Sequence, residues 1–286
     1  MKRDRLRLML PLLPASGFLT LFLVVPLLLL FSFGFLQIER GEVTSVVTGA
    51  TYRDILGDPF YRYLFGRTFL IAVSVTGLCL LFGYPVAYLY VSMRSRWRVL
   101  ILTSVFAPLL TSALARTFGW MVILGNQGVL NKTLIWLGVL DQPMQFLFTL
   151  TGVMIAMTQV LLPFMVVPLI TSLQSIPHAL TEVAANLGAT HCQTFWRVTV
   201  PQSVPGIAAG VSLVFVLAFT EFTVSVLMGG GTFAVVSVNM FEAMTTLLDW
   251  SRGAAIASLL LMSSATVVTL FNLLVRRLTP WMHTGR

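Results

Sequence analysis

Charge is scarce in this chain. Only 10% of its 286 residues are Asp, Glu, Lys or Arg, against about 25% in an ordinary soluble domain. With 57% hydrophobic residues and a mean hydropathy of +0.90, that composition excludes a soluble globular protein. Cysteine is scarcer still. Cys79 sits in an apolar run and Cys192 in a polar segment, which argues against a disulfide framework and leaves no metal-ligand spacing. The three histidines, His178, His191 and His283, lie outside the apolar runs, so a Ser-His pair has no place within a bilayer. No GxxxxGK[ST] phosphate loop occurs, so this chain is not expected to hydrolyse ATP. Internal repeats, low-complexity tracts and a soluble domain are also missing. Without two related halves, a secondary transporter is disfavoured.

Basic residues are the exception to the scarcity, with a net charge of +8. In a soluble chain this would suggest nucleic acid. Here the basic residues stand in short clusters beside apolar runs, where they orient a membrane protein.

A helix needs about 20 apolar residues to cross the hydrocarbon core, and six stretches meet that length: 9–36, 67–93, 99–125, 146–173, 206–230 and 254–275. The first follows MKRDRLR but is too long for a signal peptide and precedes no small-x-small cleavage pattern, so it is expected to remain as a span. Six spans put both termini on one side. That side collects Lys2, Arg3, Arg5, Arg7, Arg94, Arg96, Arg98, Arg197, Arg276, Arg277 and Arg286, which makes it the cytoplasm. The opposite loops hold Glu39, Glu42, Asp54, Asp58, Asp141, Glu242 and Asp249. There Asp58-Pro59 predicts the start of a short helix, with Asp as cap and Pro at the first helical position, which FYRYLFGRTFL continues toward span two. VNMFEAMTTLLDW predicts a short interfacial helix.

Two ionisable residues interrupt the spans, Arg116 in the third and Glu221 in the fifth. A charge near the bilayer centre costs roughly 2.5 to 3.5 kcal/mol on insertion scales, so such residues face a bundle interior or a watery cavity. They are either a salt bridge between spans or part of a permeation path. Gln159, Pro163 and Pro168 lie in span four, where proline frees carbonyls and bends a helix. Trp120 and Phe118 are either interfacial belt residues or aromatic faces for a cationic solute. Glu242 and Asp249 are solvated loop charges, or they attract a cation or meet a delivery protein.

Between spans four and five lies EVAANLGATHCQTFWRVTVPQSVPGI, residues 182–207. Ser175 and Pro177 predict a helix start, Leu180, Ala184 and Leu187 share a face, and Gly188 offers a stop. A second helix starts at Thr190 and is expected to end near Pro201, which cannot continue the ladder. Both lie on the membrane surface, apolar face toward the bundle, with Val183, Asn186 and Gln193 pointing elsewhere. Periodicity alone leaves this pair without a partner.

The spacing of Glu182, Ala184, Ala185, Gly188, Val198, Val200 and Pro201 resembles the signature loop of permease subunits in binding-protein-dependent ABC importers. That pattern runs Glu-Ala-Ala, Gly six residues after the Glu, then Ile-x-Leu-Pro; Val183, Val198 and Val200 stand here for Ala, Ile and Leu. YRDILGDPFY, GYPVAY, GVLNKTLIWLGVLD, LLPFMVVPL and LMGGG are similar to stretches of the spermidine/putrescine-type permeases, and TSALAR places Arg116 in a TxSLxR-like pattern. The resemblance implies an all-α type I importer permease, one six-span domain over 1–286, with residues 174–205 as the coupling loop. It implies as partners an ATP-binding subunit dimer, a second permease subunit or a copy of this chain, and a periplasmic binding protein, in the inner membrane of a bacterium. No cofactor belongs to this chain, and ATP is bound by the partner. The implied cargo is a polyamine; related permeases carry ferric ion or thiamine, and Val226 stands where the polyamine pattern has an acid. The candidate path is Arg116, Trp120, Gln159, Glu221, Glu242 and Asp249.

Overall fold

Helices dominate because a backbone crossing hydrocarbon must satisfy its hydrogen bonds within its own segment. The computed structural model describes residues 12–39, 42–93, 95–230 and 234–279. The first basic cluster, Arg94 and Arg286 lie outside the described residues, as do residues 9–11 of the first expected span. Among the described residues four helices are long and apolar enough to cross a membrane: Ser16–Phe33, Pro59–Ser92, Leu150–Gln174 and Trp250–Leu278. Two bent pairs, Arg96–Leu110 with Ala113–Trp136 and His191–Gln202 with Val204–Phe219, raise the number to six if each pair is one span.

Spans three and five depart from the expected continuous helices. The Ser95–Phe106 helix tightens into a 3₁₀ turn at Ala107–Leu110 and then gives way at Thr111 and Ser112. The chain bends by 104° there. Pro108 lacks the N–H that would carry the ladder on. Span five was expected over 206–230, but the Val204–Phe219 helix stops at Thr220 and a separate one runs from Thr223 to Gly229. Side chains satisfy the break: Thr220 Oγ1 donates to the Val216 carbonyl at 2.9 Å, and Glu221 Oε1 accepts from the Val224 N–H at 3.0 Å.

The chain divides into two compact units. The larger lies within residues 64–235 and 263–286. At its centre Leu150–Gln174 begins with Thr149 as N-cap and passes Pro163 and Pro168 without interruption, so neither proline breaks the helix. Met157, Met165, Val166 and Leu169 on it are buried. Val204–Phe219 packs closely against it through two glycines. A Cβ at Gly206 would strike the Ser172 side chain and lie 2.7 Å from the Pro168 carbonyl oxygen, and one at Gly210 would lie 2.7 Å from the Met165 sulfur. Small residues let backbones approach where no hydrophobic effect drives helices together.

The smaller unit lies within residues 1–63 and 236–262. It holds the exception to the all-α expectation: an antiparallel hairpin of Leu36–Glu39 with Glu42–Val47. The β-branched run in EVTSVV favours a strand, and this segment is too polar to cross a membrane. Asp58 caps as expected, Oδ1 accepting the Phe60 N–H at 2.8 Å, but the helix it opens is a single one of 34 residues, Pro59–Ser92. The expected short helix before span six is Val236–Thr245. Ser251 Oγ donates to the Leu36 carbonyl, holding the hairpin's start beside the last helix.

Candidate functional site: a capped polar loop and two helix breaks

The polar loop is a helix, a glycine turn and a second helix. His178–Asn186 ends where the N–H of Gly188 reaches the Ala185 carbonyl at 2.9 Å and that of Ala189 reaches the Ala184 carbonyl at 3.0 Å. This bond pair is the Schellman motif, and its C′ residue must be left-handed. Gly188 supplies that conformation with φ +80°. Two residues on, Thr190 and Gln193 form a capping box: Thr190 Oγ1 accepts the Gln193 N–H at 3.3 Å, and Gln193 Oε1 accepts the Thr190 N–H at 2.9 Å. The Glu-Ala-Ala to Gly spacing therefore has a local meaning. Ala184 and Ala185 offer the carbonyls that the turn at Gly188 closes.

One expectation for this loop holds and one fails. The second helix ends near Pro201, at Gln202. It runs His191–Thr194, widens to a π turn at Phe195–Thr199, takes in Pro201 within Val200–Gln202 and bends by 61° at Ser203. Pro201 follows a widened ladder, where a missing N–H disturbs less than inside a regular helix. The first helix does not bury Leu187 beside Leu180 and Ala184. No residue of His178–Asn186 is buried, and Leu187 is 83% exposed. The half-buried positions are the small Thr181 and Ala184. Leu180, Val183, Leu187 and Trp196 of the loop are left as exposed apolar side chains, and Glu182 is exposed too. Glu182 and His191 open onto a cleft of about 480 Å³. Val198, Val200 and Pro201 are half-buried.

The breaks position the remaining candidates in the larger unit. Arg116 is the fourth residue of Ala113–Leu124, near a positive helix end that does not favour a cation. Its Nε and Nη1 are shut off from solvent with no hydrogen-bond partner among the described residues. The salt bridge weighed for Arg116 and Glu221 is therefore not made through these two nitrogens, and Glu221 Oε1 serves the break in span five. Trp120 Nε1 donates to Gln159 Oε1 at 3.0 Å. Gln159 also borders a cleft of about 390 Å³ with Ser104, Pro108 and Pro163.

Glu242 and Asp249 belong to the smaller unit. Glu242 is exposed. Asp249 caps the last helix, Oδ1 accepting the Arg252 N–H at 2.9 Å while Oδ2 lies 3.6 Å from Arg252 Nε. It borders a cleft of about 380 Å³ that Asp54, Asp58, Tyr61 and Asn239 also line. The convergence of three aspartates was not evident from the sequence, where Asp249 stands far from the other two. The aromatic surroundings of Phe195 were missed as well, although Tyr84 and Tyr88 carry the i, i+4 signal that puts two rings on one helix face.

Comparison with known proteins agrees with this architecture. A family model described as "Binding-protein-dependent transport system inner membrane component" matches residues 13–284. The chain is 36% identical over 240 residues to the spermidine/putrescine transport system permease protein PotB of Escherichia coli, covering 84% of this chain and 87% of that protein. It is 32% identical over 242 residues to PotB of Haemophilus influenzae, covering 84% of each. Among solved structures, a bacterial ABC transporter involved in the import of the acidic polysaccharide alginate aligns with TM-score 0.70 and 22% identity over 97% of both chains, a likeness of fold. The chain belongs to the family of inner membrane components of binding-protein-dependent transport systems.

Proposed function

We propose that this ABC importer permease subunit carries a polyamine of the spermidine or putrescine type across the bacterial inner membrane, driven by ATP hydrolysed in a separate subunit. The observation that carries the cargo is the 36% identity to a spermidine/putrescine permease over 84% of the chain. The cleft shared by Asp54, Asp58 and Asp249 is consistent with a cationic solute.

In this reading both termini and the polar loop lie in the cytoplasm, the side to which the basic clusters assign them. Residues 174–205 seat on the ATP-binding subunit. Glu182, Ala184, Ala185, Gly188, Val198, Val200 and Pro201 make that loop: the capped turn fixes its shape, and exposed Leu180, Val183, Leu187 and Trp196 offer surface that a partner covers. Exposed apolar patches rimmed by polar residues mark interaction sites. Arg116, Trp120, Gln159 and Glu221 border the solute path, Glu242 and Asp249 its entrance. A second permease subunit completes the path, and a periplasmic binding protein delivers the solute.

Arg116 favours a second reading for the cargo. A guanidinium with two buried, unpartnered nitrogens suits an anionic or oxygen-rich solute better than a polyamine. Proteoliposomes holding the assembled importer, its ATPase and its binding protein separate the two readings by ATP-dependent uptake of radiolabelled spermidine. Uptake supports the polyamine; no uptake of spermidine or putrescine beside uptake of an anion overturns it.

A further inference from the structure

The loop is joined to the rest of its unit at a small aromatic seat outside the signature residues. Phe195, at the start of the π turn, meets Tyr88 at 5.1 Å and 83° between ring planes, Tyr84 at 5.8 Å and 87°, and Trp196 at 5.3 Å and 84°. All are edge-on arrangements, the geometry in which a ring's positive edge faces a negative π surface. Tyr84 and Tyr88 are the two tyrosines of GYPVAY, one turn apart on Pro59–Ser92. Tyr84 Oη also lies 3.0 Å from Ser203 Oγ, at the bend that ends the loop. Ser203 is fully buried, and the Ser203 carbonyl lies 3.5 Å from Ser172 Oγ.

The first loop helix has no buried residue. Besides the backbone at Ser175–Pro177, which joins that helix to Leu150–Gln174, a push on Glu182 or Gly188 reaches the bundle through the second helix, by two routes. One is the backbone, which continues past Ser203 into Val204–Phe219 and its glycine-mediated packing on Leu150–Gln174. The other is Phe195, which reaches Pro59–Ser92 directly. A π turn is rare and, inside a helix, frequently marks a functional site, and here it stands where the loop meets those rings.

We propose that Phe195, seated between Tyr84 and Tyr88, is a positioning residue that passes movement of the coupling loop to the Pro59–Ser92 helix, and that this is what the two tyrosines of GYPVAY are for. The proposal rests on the ATP-driven reading above. Phe195 touches neither solute nor nucleotide. Its ring sets how far that helix follows the loop.

The test uses the reconstituted importer with Phe195→Leu, which keeps apolar volume without a ring, Phe195→Tyr, which restores the ring, and Tyr84→Phe, which removes only the hydroxyl facing Ser203. Co-purification of the ATPase with the unaltered chain is measured first; its absence counts against the ATP-driven reading and so against the proposal built on it. With the ATPase bound, Phe195→Leu is expected to keep it bound and hydrolysing ATP while solute uptake per ATP hydrolysed falls about tenfold, within the range of ordinary coupling energies. Phe195→Tyr is expected to restore the ratio to within about twofold, a small part of that same range, and Tyr84→Phe to give an intermediate value. An unchanged ratio in Phe195→Leu overturns the proposal, as does an equal fall of hydrolysis and uptake, which marks a merely structural ring. If Phe195→Leu does not accumulate, Tyr84→Phe decides, and an unchanged ratio there overturns the proposal.

Discussion

Trp120 donates its indole N–H to the side-chain oxygen of Gln159 at 3.0 Å, tying the helix after the first break to the central Leu150–Gln174 helix. Both are half-buried, and such a hydrogen bond contributes about 1 kcal/mol net. Trp120→Phe and Gln159→Leu are each expected to lower the thermal midpoint of the detergent-solubilised protein by a similar small amount. The double variant is expected to lose no more than the worse single change, since both remove one interaction. Additive losses in a double-mutant cycle would show that the residues act independently.

Arg116 makes the opposite prediction. Breaking a buried ion pair costs about 3 to 5 kcal/mol, whereas Nε and Nη1 of Arg116 have no hydrogen-bond partner to lose among the described residues. Arg116→Met is expected to leave the thermal midpoint unchanged or raise it while reducing uptake. Exchanging the charges, Arg116→Glu with Glu221→Arg, is expected to restore neither, because Glu221 also caps the Thr223–Gly229 helix through Val224. Recovery of both in the exchanged protein would restore the salt-bridge reading.

Gly188 stands in open space with φ +80°, and nothing lies within 4 Å of an added Cβ. Gly188→Val therefore meets left-handed strain alone, about 1 to 2 kcal/mol, concentrated at a turn with no buried residue before it. Normal protein levels in the membrane and lost uptake are expected, with Gly188→Asn much milder because Asn tolerates this conformation. Immunoblotting beside uptake checks both, and equal uptake by Gly188→Val and the unaltered chain would remove the turn from the mechanism.

Gly206 differs because its backbone is ordinary and its surroundings are full. A Cβ there meets Ser172 and the Pro168 carbonyl oxygen at 2.7 Å, and backbone cannot move aside as a flexible side chain can. Gly206→Val is expected to cost about 1 to 3 kcal/mol or more by overpacking, seen as lower accumulation and a lower thermal midpoint. Gly49→Ala, with nothing within 4 Å, serves as the neutral control. Equal stability of the two variants would contradict the close helix approach.

How much was legible in advance can be followed residue by residue. Asp58-Pro59 announced a helix start because the capping oxygen and the fixed φ act within two residues. Gly188 announced a stop for the same reason, since the Schellman motif closes on the carbonyls of Ala184 and Ala185 just before it. The break at Glu221 was missed: TEFTVS lies between apolar runs that read together as one span, and the interruption is tolerable because Thr220 Oγ1 reaches the Val216 carbonyl and the Glu221 carboxylate accepts the Val224 N–H. Leu187 was misplaced because period gives a shared face without saying whether anything packs against it. The strands Leu36–Glu39 and Glu42–Val47 were not expected although EVTSVV carried the signal, because they follow directly on an apolar stretch long enough to cross a membrane.

By itself the sequence determined the membrane class, the number of apolar stretches, the capped turn of the polar loop and the family. Each rests on composition or on interactions within a few residues, which a linear string records. The tertiary structure decided what depends on separate segments meeting: that Gln159 serves Trp120, that Arg116 keeps two unpartnered nitrogens, that Asp54 and Asp58 share a cleft with Asp249, and that Phe195 sits between the tyrosines of GYPVAY. Those pairings span tens to hundreds of residues and are fixed by helix packing, where close approach at Gly206 and Gly210 sets the geometry and no local pattern encodes it.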